Sequence, residues 1–257
     1  MDYLLICATA FIASGLTFFS GFGLGTLLVP VFALFFPIDI AIALTAVVHF
    51  LNNLFKLALV GRHAQLPVVL RFGLPSMVAA FAGAGLLALI SEWQPLASYT
   101  LAEKDFYITP VKLIVALLMI GFALFDLLPR LAKLSFDPKY LPLGGLLSGF
   151  FGGLSGNQGA LRSAFLIKLG LTKEAFIATG VVIACLIDAT RISVYGRLIF
   201  APEQSINYTL LTAATASAFA GALLGNRLLK KVTIQALQVI VAVMLILVAL
   251  GLATGLI

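Results

Sequence analysis

The stretch GGLSGNQGALRSAFL, residues 152–166, interrupts a mostly apolar run from Leu141 to Gly170. Four glycines, two serines, Asn157, Gln158 and Arg162 crowd into it. A spanning helix avoids such a composition. Backbone that leaves the helix at membrane depth is tolerated only when it is buried in protein or lines a wet cavity. The rest of the chain tests whether that is the setting here.

The sequence has 257 residues, 62% hydrophobic and 10% charged, against about 25% charged in ordinary soluble domains. Its apolar residues fall in runs of roughly 20, enough to cross a hydrocarbon core of about 30 Å. The composition reads as an all-α polytopic membrane protein in contact with a lipid bilayer, and no period-2 alternation points to a barrel. The net charge of +6 comes from Lys and Arg. Most of these charges sit at segment ends, so the excess reads as topology information and not as a nucleic-acid patch. Cys7 and Cys185 lie in apolar segments and read as buried thiols, with no disulfide and no metal site. The opening MDYLLICATAFIASGLTFF lacks a basic leader and continues into GFGLGTLLVPVFALFF, so it is expected to be a retained first segment.

The chain repeats itself. SGFGLG at 20–25 corresponds to SGNQGA at 155–160, an offset of 135 that also carries Asn53 onto Asp188 and Lys56 onto Arg191. FAGA at 81–84 recurs at 219–222. Each half reads as a long glycine-broken segment followed by three ordinary ones: 3–36, 38–60, 68–90 and 110–129, then 141–170, 173–195, 206–229 and 232–256. The expected layout is a single membrane domain, 1–257. Its first repeat is 1–129, its cytoplasmic linker 130–140 and its second repeat 141–257.

The broken segments have an awkward length. Residues 3–36 as one helix would extend about 51 Å, and two full crossings would need about 40 residues or more. A re-entrant hairpin that enters, turns and leaves on one side remains. The loops 61–71, 130–139 and 226–232 are basic and expected inside, while 91–109 carries Glu92, Glu103 and Asp105 and is expected outside. Between 139 and 226 the chain must then cross an even number of times. That gives one hairpin and three spans per half, and hence two inverted repeats. Arg197 falls outside and counts against the rule, and eight full spans with parallel halves are the alternative.

Hairpins entering from opposite faces would bring Gly21–Thr26 and Gly153–Ser163 together near the midplane. The half-helices that begin there present free N–H groups and a partial positive charge, an anion site without special side chains. Gly25, Thr26, Asn157, Gln158, Gly159 and Ser163 are candidate contacts. Arg162 adds a planar cationic fork suited to an oxyanion, and its counterpart Leu27 shows that no charge is required there. HFLNNLFK at 49–56 places His49, Asn52 or Asn53, and Lys56 on one helix face. Asp188 and Arg191 stand three apart and are able to pair. Ionisable groups at membrane depth are functional candidates: Asn52, Asn53, Lys56 and Arg191 toward substrate, His49 and Asp188 in coupling or orientation.

On SGFGLGTLLVP with HFLNNLFK, and LSGFFGGLSGNQGALRSAFL with IDATR, the sequence resembles the TauE/SafE sulfite-exporter family of membrane permeases. Where the family pattern has a glycine triplet in each tip, this chain has GFGLG and GNQG. The resemblance implies export of sulfite or a related sulfur-containing or organic anion across the bacterial plasma membrane. The residues alone reach an anion transporter. Alternating access around one central site leads, an anion channel on the same scaffold is the nearest rival, and an intramembrane enzyme would need a nucleophile–base pair that the sequence does not place together. No cofactor is expected, and no P-loop supplies ATP. Oligomeric state is left open.

Overall fold

The computed structural model describes residues 2–20, 24–132, 134–199, 207–228 and 234–257. Gly21 and Gly23 of the first expected tip, Lys133, Glu203, Lys230 and Lys231 lie outside the described residues, as do the side chains of Arg197 and Arg227. The chain is helical in the order α1 (Asp2–Ser20), α2 (Leu24–Ala33), α3 (Ile38–Val60), α4 (Leu66–Val68), α5 (Leu74–Ser91), α6 (Pro110–Leu127), α7 (Pro129–Ala132), α8 (Leu141–Ser155), α9 (Gly159–Leu166), α10 (Lys173–Ile199), α11 (Tyr208–Leu228) and α12 (Ile234–Ala253). Among the described residues, three continuous stretches, Ile38–His63, Leu66–Ser91 and Lys173–Gly196, are long and apolar enough to cross a membrane.

The second glycine-rich segment breaks. Helix α8 stops where Gly156 adopts a left-handed conformation, φ 79°, and its N–H bonds Gly152 O at 3.0 Å. Glycine is the residue that takes this capping geometry without strain. Helix α9 then folds back along α8. A Cβ on Gly144 would lie 2.4 Å from the Phe165 ring, and one on Gly152 would lie 3.0 Å from Gln158 Cβ. Contacts at both ends make the pair an antiparallel hairpin. Its arms are about 22 and 12 Å long at 1.5 Å per residue, so neither spans a bilayer alone.

Contacts also fix the relative direction of the longer helices. Added Cβ atoms at Gly145, Gly149 and Gly153 would lie 2.2, 2.1 and 2.2 Å from the carbonyl oxygens of Phe72, Ser76 and Ala80. The register advances by four on both sides, so α8 runs parallel to α5 and to the π turn Val69–Gly73 before it. Small residues let backbones approach this closely where lipid offers no hydrophobic drive for association. Helices α3 and α10 run antiparallel: His49 and Asn53 meet Asp188, while Gln65 N–H donates to Thr179 Oγ1 at 3.0 Å beyond the far end of α3. Helix α1 packs on α11, and α6 on α12.

The 91–109 segment is more ordered than a plain loop. Strands β1 (Ala97–Leu101) and β2 (Lys104–Ile108) pair antiparallel around Ala102 and Glu103, both at positive φ. Tyr99 donates its hydroxyl to Thr254 O at 2.7 Å, which sets this hairpin against the C-terminal end of α12.

The α5–α8 seam makes a direct prediction. Gly149→Ala forces a methyl into the Ser76 carbonyl, and overpacking costs typically 1–3 kcal/mol. Gly121→Ala, with nothing within 4 Å of the added atom, is expected to be neutral or slightly stabilising. Unfolding temperatures of the two variants in detergent check the contrast, and equal values would remove the seam's role.

Candidate functional site

The site is built on α3 and α10, two long helices held together by one carboxylate. Asp188 is fully buried. Its Oδ2 accepts from His49 Nδ1 at 2.7 Å and from Asn53 Nδ2 at 3.2 Å. Its Oδ1 accepts from Arg191 Nε at 3.0 Å, with Arg191 Nη2 at 2.8 Å. A carboxylate can only accept here, so Nδ1 of His49 carries a hydrogen. Asn53 Nδ2 lies 3.3 Å from the other ring nitrogen. Tyr195, one turn beyond Arg191, donates its hydroxyl to Gly153 O at the end of α8. The face of α10 that bears Asp188, Arg191 and Tyr195 thus ties α3 to the α8–α9 hairpin.

A cavity with about 500 Å³ of empty space, counted out to solvent, opens beside this network. Helix α3 supplies His49, Asn53 and Lys56, and α9 supplies Arg162, Ser163 and Leu166. Helix α10 supplies an apolar wall of Phe176, Ile177, Val181 and Ala184, with Gly180 between, and Thr17 and Leu24 close the end. Arg162 and Lys56 are 8% and 5% exposed; both reach this one cavity from different elements. Arg162 Nη1 has no hydrogen-bond partner. Gly180 makes room for it, since a Cβ there would lie 3.4 Å from Arg162 Nε. Among the described residues no carboxylate lines the cavity.

The candidates separate into two groups. His49, Asn53, Lys56, Arg162 and Ser163 share the cavity. Asn52 does not: it faces α1, where its Oδ1 accepts from Ser14 Oγ at 2.9 Å. Gly25, Thr26, Asn157, Gln158, Gly159 and Arg191 are buried and outside the cavity wall. Gly25 and Gly156 nevertheless bring the start of α2 onto the end of α8, because a Cβ on Gly25 would sit 3.2 Å from Gly156 O. Arg191 lies just beneath that junction; its Nη1 would be 3.1 Å from a Cβ on Gly156.

Sequence reading missed Thr17, Gly180 and the apolar wall of α10, which carry no motif. Tyr195 had a signal: it falls on the same helical face as Asp188 and Arg191, at spacings of three and four.

Breaking a buried ion pair by removing one partner costs about 3–5 kcal/mol. Asp188→Asn is therefore expected to lower the unfolding temperature markedly, because Arg191 stays buried and charged. Adding Arg191→Gln should recover part of the loss. Thermal unfolding of the single and double variants measures this, and additive losses would mean that the two side chains do not act as a pair.

Among curated proteins, none matches this sequence. The family model described as Sulfite exporter TauE/SafE, in contrast, matches residues 6–252, nearly the whole length. Matched over the broken segments, the α3–α10 pair and the cavity alike, the chain belongs to the TauE/SafE sulfite-exporter family.

Proposed function

We propose that this protein is a secondary transporter that exports sulfite or a related sulfur-containing or organic anion, by alternating access around a central site that the Arg162–Lys56 cavity opens beside two hairpin tips. The observation that carries the reading is the pairing of Arg162 and Lys56 on one buried cavity whose described wall holds no carboxylate. Two cations with His49, Asn53, Ser163 and Thr17 offer donors to an oxyanion in a low-dielectric space, where charge-assisted bonds are strongest. A cation would meet repulsion in the same place.

The proposed topology is one re-entrant hairpin and three spans in each of two inverted halves, in a multi-pass protein of the bacterial inner membrane. Two contacts support it over eight full spans. Parallel halves would make the equivalent helices α3 and α10 run the same way, whereas their contacts are antiparallel. Eight spans would also put the 91–109 hairpin and the C-terminal end on opposite sides, whereas Tyr99 bonds Thr254 O. In the inverted reading, Asn53 and Asp188 are equivalent residues that bond each other, as residues beside a pseudo-twofold axis do. The cavity is walled by the second half of α3, by α9 and by the first half of α10. With basic loops inside, these are the cytoplasmic halves, and the cavity faces inward: for an exporter, the loading state.

Arg162→Leu tests the site. It copies Leu27, the residue at the equivalent position of the first half, so expression is expected to survive while efflux of labelled sulfite from vesicles is lost. Wild-type transport by a normally expressed Arg162→Leu protein would reject the site. Saturable efflux separates a transporter from a channel. For topology, single cysteines in a variant lacking Cys7 and Cys185 are expected to label from outside at Asp39 and Leu256, and only after permeabilisation at Lys139 and Lys173. External labelling at Lys173 would restore the eight-span arrangement.

A further inference from the structure

Buried hydroxyls in this protein follow one tendency, to find a partner. Thr17, Ser76, Ser155 and Thr215 each donate to the carbonyl four residues back on their own helix, at 2.6–3.0 Å, while Ser14 and Ser148 donate across to Asn52 Oδ1 and Gln158 O. Thr45 departs from it. It is fully buried on α3, and its Oγ1 is the only enclosed hydroxyl without a partner among the described residues. An enclosed hydroxyl left unpaired is costly.

Two of the other residues with unpaired atoms, Arg191 and Asn157, adjoin the contact of Gly25 with Gly156; Asn52, Gln158 and Arg162 carry unpaired atoms as well. Thr45 Cγ2 would be 3.7 Å from a Cβ on Gly25, and that same Cβ would be 3.2 Å from Gly156 O. Arg191 Nη1, which has no hydrogen-bond partner, would be 3.1 Å from a Cβ on Gly156. Asn157 follows directly; it is 3% exposed, and neither amide atom is hydrogen-bonded. A hydroxyl, one guanidinium nitrogen and a carboxamide are thus held without partners around the junction of the two tips. This group is not in the cavity wall.

We propose that Thr45, Arg191 and Asn157 form a second oxyanion station at the tips, separate from the Arg162–Lys56 cavity and beyond it along α3. Thr45, His49, Asn53 and Lys56 follow one another at helical spacings of four, four and three, a polar line about 16 Å long by helix rise. His49 and Asn53 line the cavity and bond Asp188; Asp188 accepts from Arg191 Nε and lies 2.8 Å from Nη2, while Nη1 has no hydrogen-bond partner. The anion loads at Arg162 and Lys56 and passes to the tips when the helices rearrange. The station rests on the transport reading above and adds a residue, Thr45, that the cavity does not contain.

The test uses Thr45→Val, which keeps shape and removes the hydroxyl, with Thr45→Ser as the variant that restores it. Three readings are taken with inorganic sulfite as probe: unfolding temperature without anion, its increase with sulfite, and efflux from vesicles. Thr45→Val is expected to unfold at or above the wild-type temperature, because an unpaired buried hydroxyl is gone. Its sulfite-induced increase should persist, since the cavity is intact, while efflux falls about 10-fold or more, the loss of one hydrogen bond to a charged group. Thr45→Ser should transport close to the wild-type rate. Wild-type efflux by Thr45→Val would overturn the station, and so would a clear drop in its anion-free unfolding temperature, which would mean that the hydroxyl serves the fold. Failure of the cavity reading shows elsewhere: Arg162→Leu would then keep both the sulfite-induced increase and efflux, whatever Thr45→Val does.

Discussion

The Asp188 carboxylate is the interaction on which the rest of the site depends. Helices in lipid gain little from burying apolar surface against each other, so polar contacts and close packing must hold them. Asp188 spends both oxygens on this. One takes His49 and Asn53 from α3, and the other takes Arg191 from its own helix. Removing two charges from water is expensive, and the cost is offset only when geometry is good and spare lone pairs are filled. Here donors fill both oxygens. As a result, His49 and Asn53 stand in fixed orientation on the cavity wall, and Arg191 is held under Gly156 instead of reaching for solvent.

The tip itself has little that would hold it locally. It is short, rich in glycine and left by the backbone at Gly156 in a left-handed turn. Its position is imposed from two sides. Along α5, Gly145, Gly149 and Gly153 seat α8 directly on backbone carbonyls, a contact with almost no side-chain freedom. From α10, Tyr195 bonds the carbonyl of Gly153, an acceptor near the helix end that lacks an intrahelical donor. A break in so apolar a segment is therefore compatible with a defined geometry.

Much of this was legible in the residues. The break between Leu141 and Gly170 follows from glycines and polar groups in an apolar run, and α8 and α9 divide where GNQG predicts. The long helices were legible from hydropathy to within a few residues. The β-hairpin at 97–108 was not, because five-residue strands with exposed, mixed side chains look like loop. Of the cavity wall, His49, Asn53, Lys56 and Arg162 were legible because ionisable or amide groups are rare in such segments, and Ser163 because it follows Arg162 in the polar stretch. The choice between Asn52 and Asn53 was not readable: both fit helical spacing from His49, and only the position of Ser14 on α1 turns Asn52 away. Thr45 and Gly180 were invisible for a different reason. Small residues are common in membrane helices, and their meaning lies entirely in what stands opposite them.

The distribution of unpaired polar atoms follows from these constraints. In a membrane interior a lone hydroxyl often turns back on its own helix, as Thr17, Ser76, Ser155 and Thr215 do here. Polar atoms remain unpaired around Gly25 and Gly156, at Thr45, Arg191 and Asn157, in the adjoining cavity at Arg162, and also at Asn52 and Gln158. Arg191 shows that this is not a shortage of acceptors. Asp188 satisfies its Nε and lies 2.8 Å from Nη2, yet Nη1 points away from the pair toward the junction of α2 and α8. A guanidinium held rigidly on one edge by a carboxylate keeps the other edge at a defined height, and that edge then suits an oxyanion without the entropic cost of ordering a long side chain. The same ion pair that joins α3 to α10 thus also sets out the donor that faces the tips.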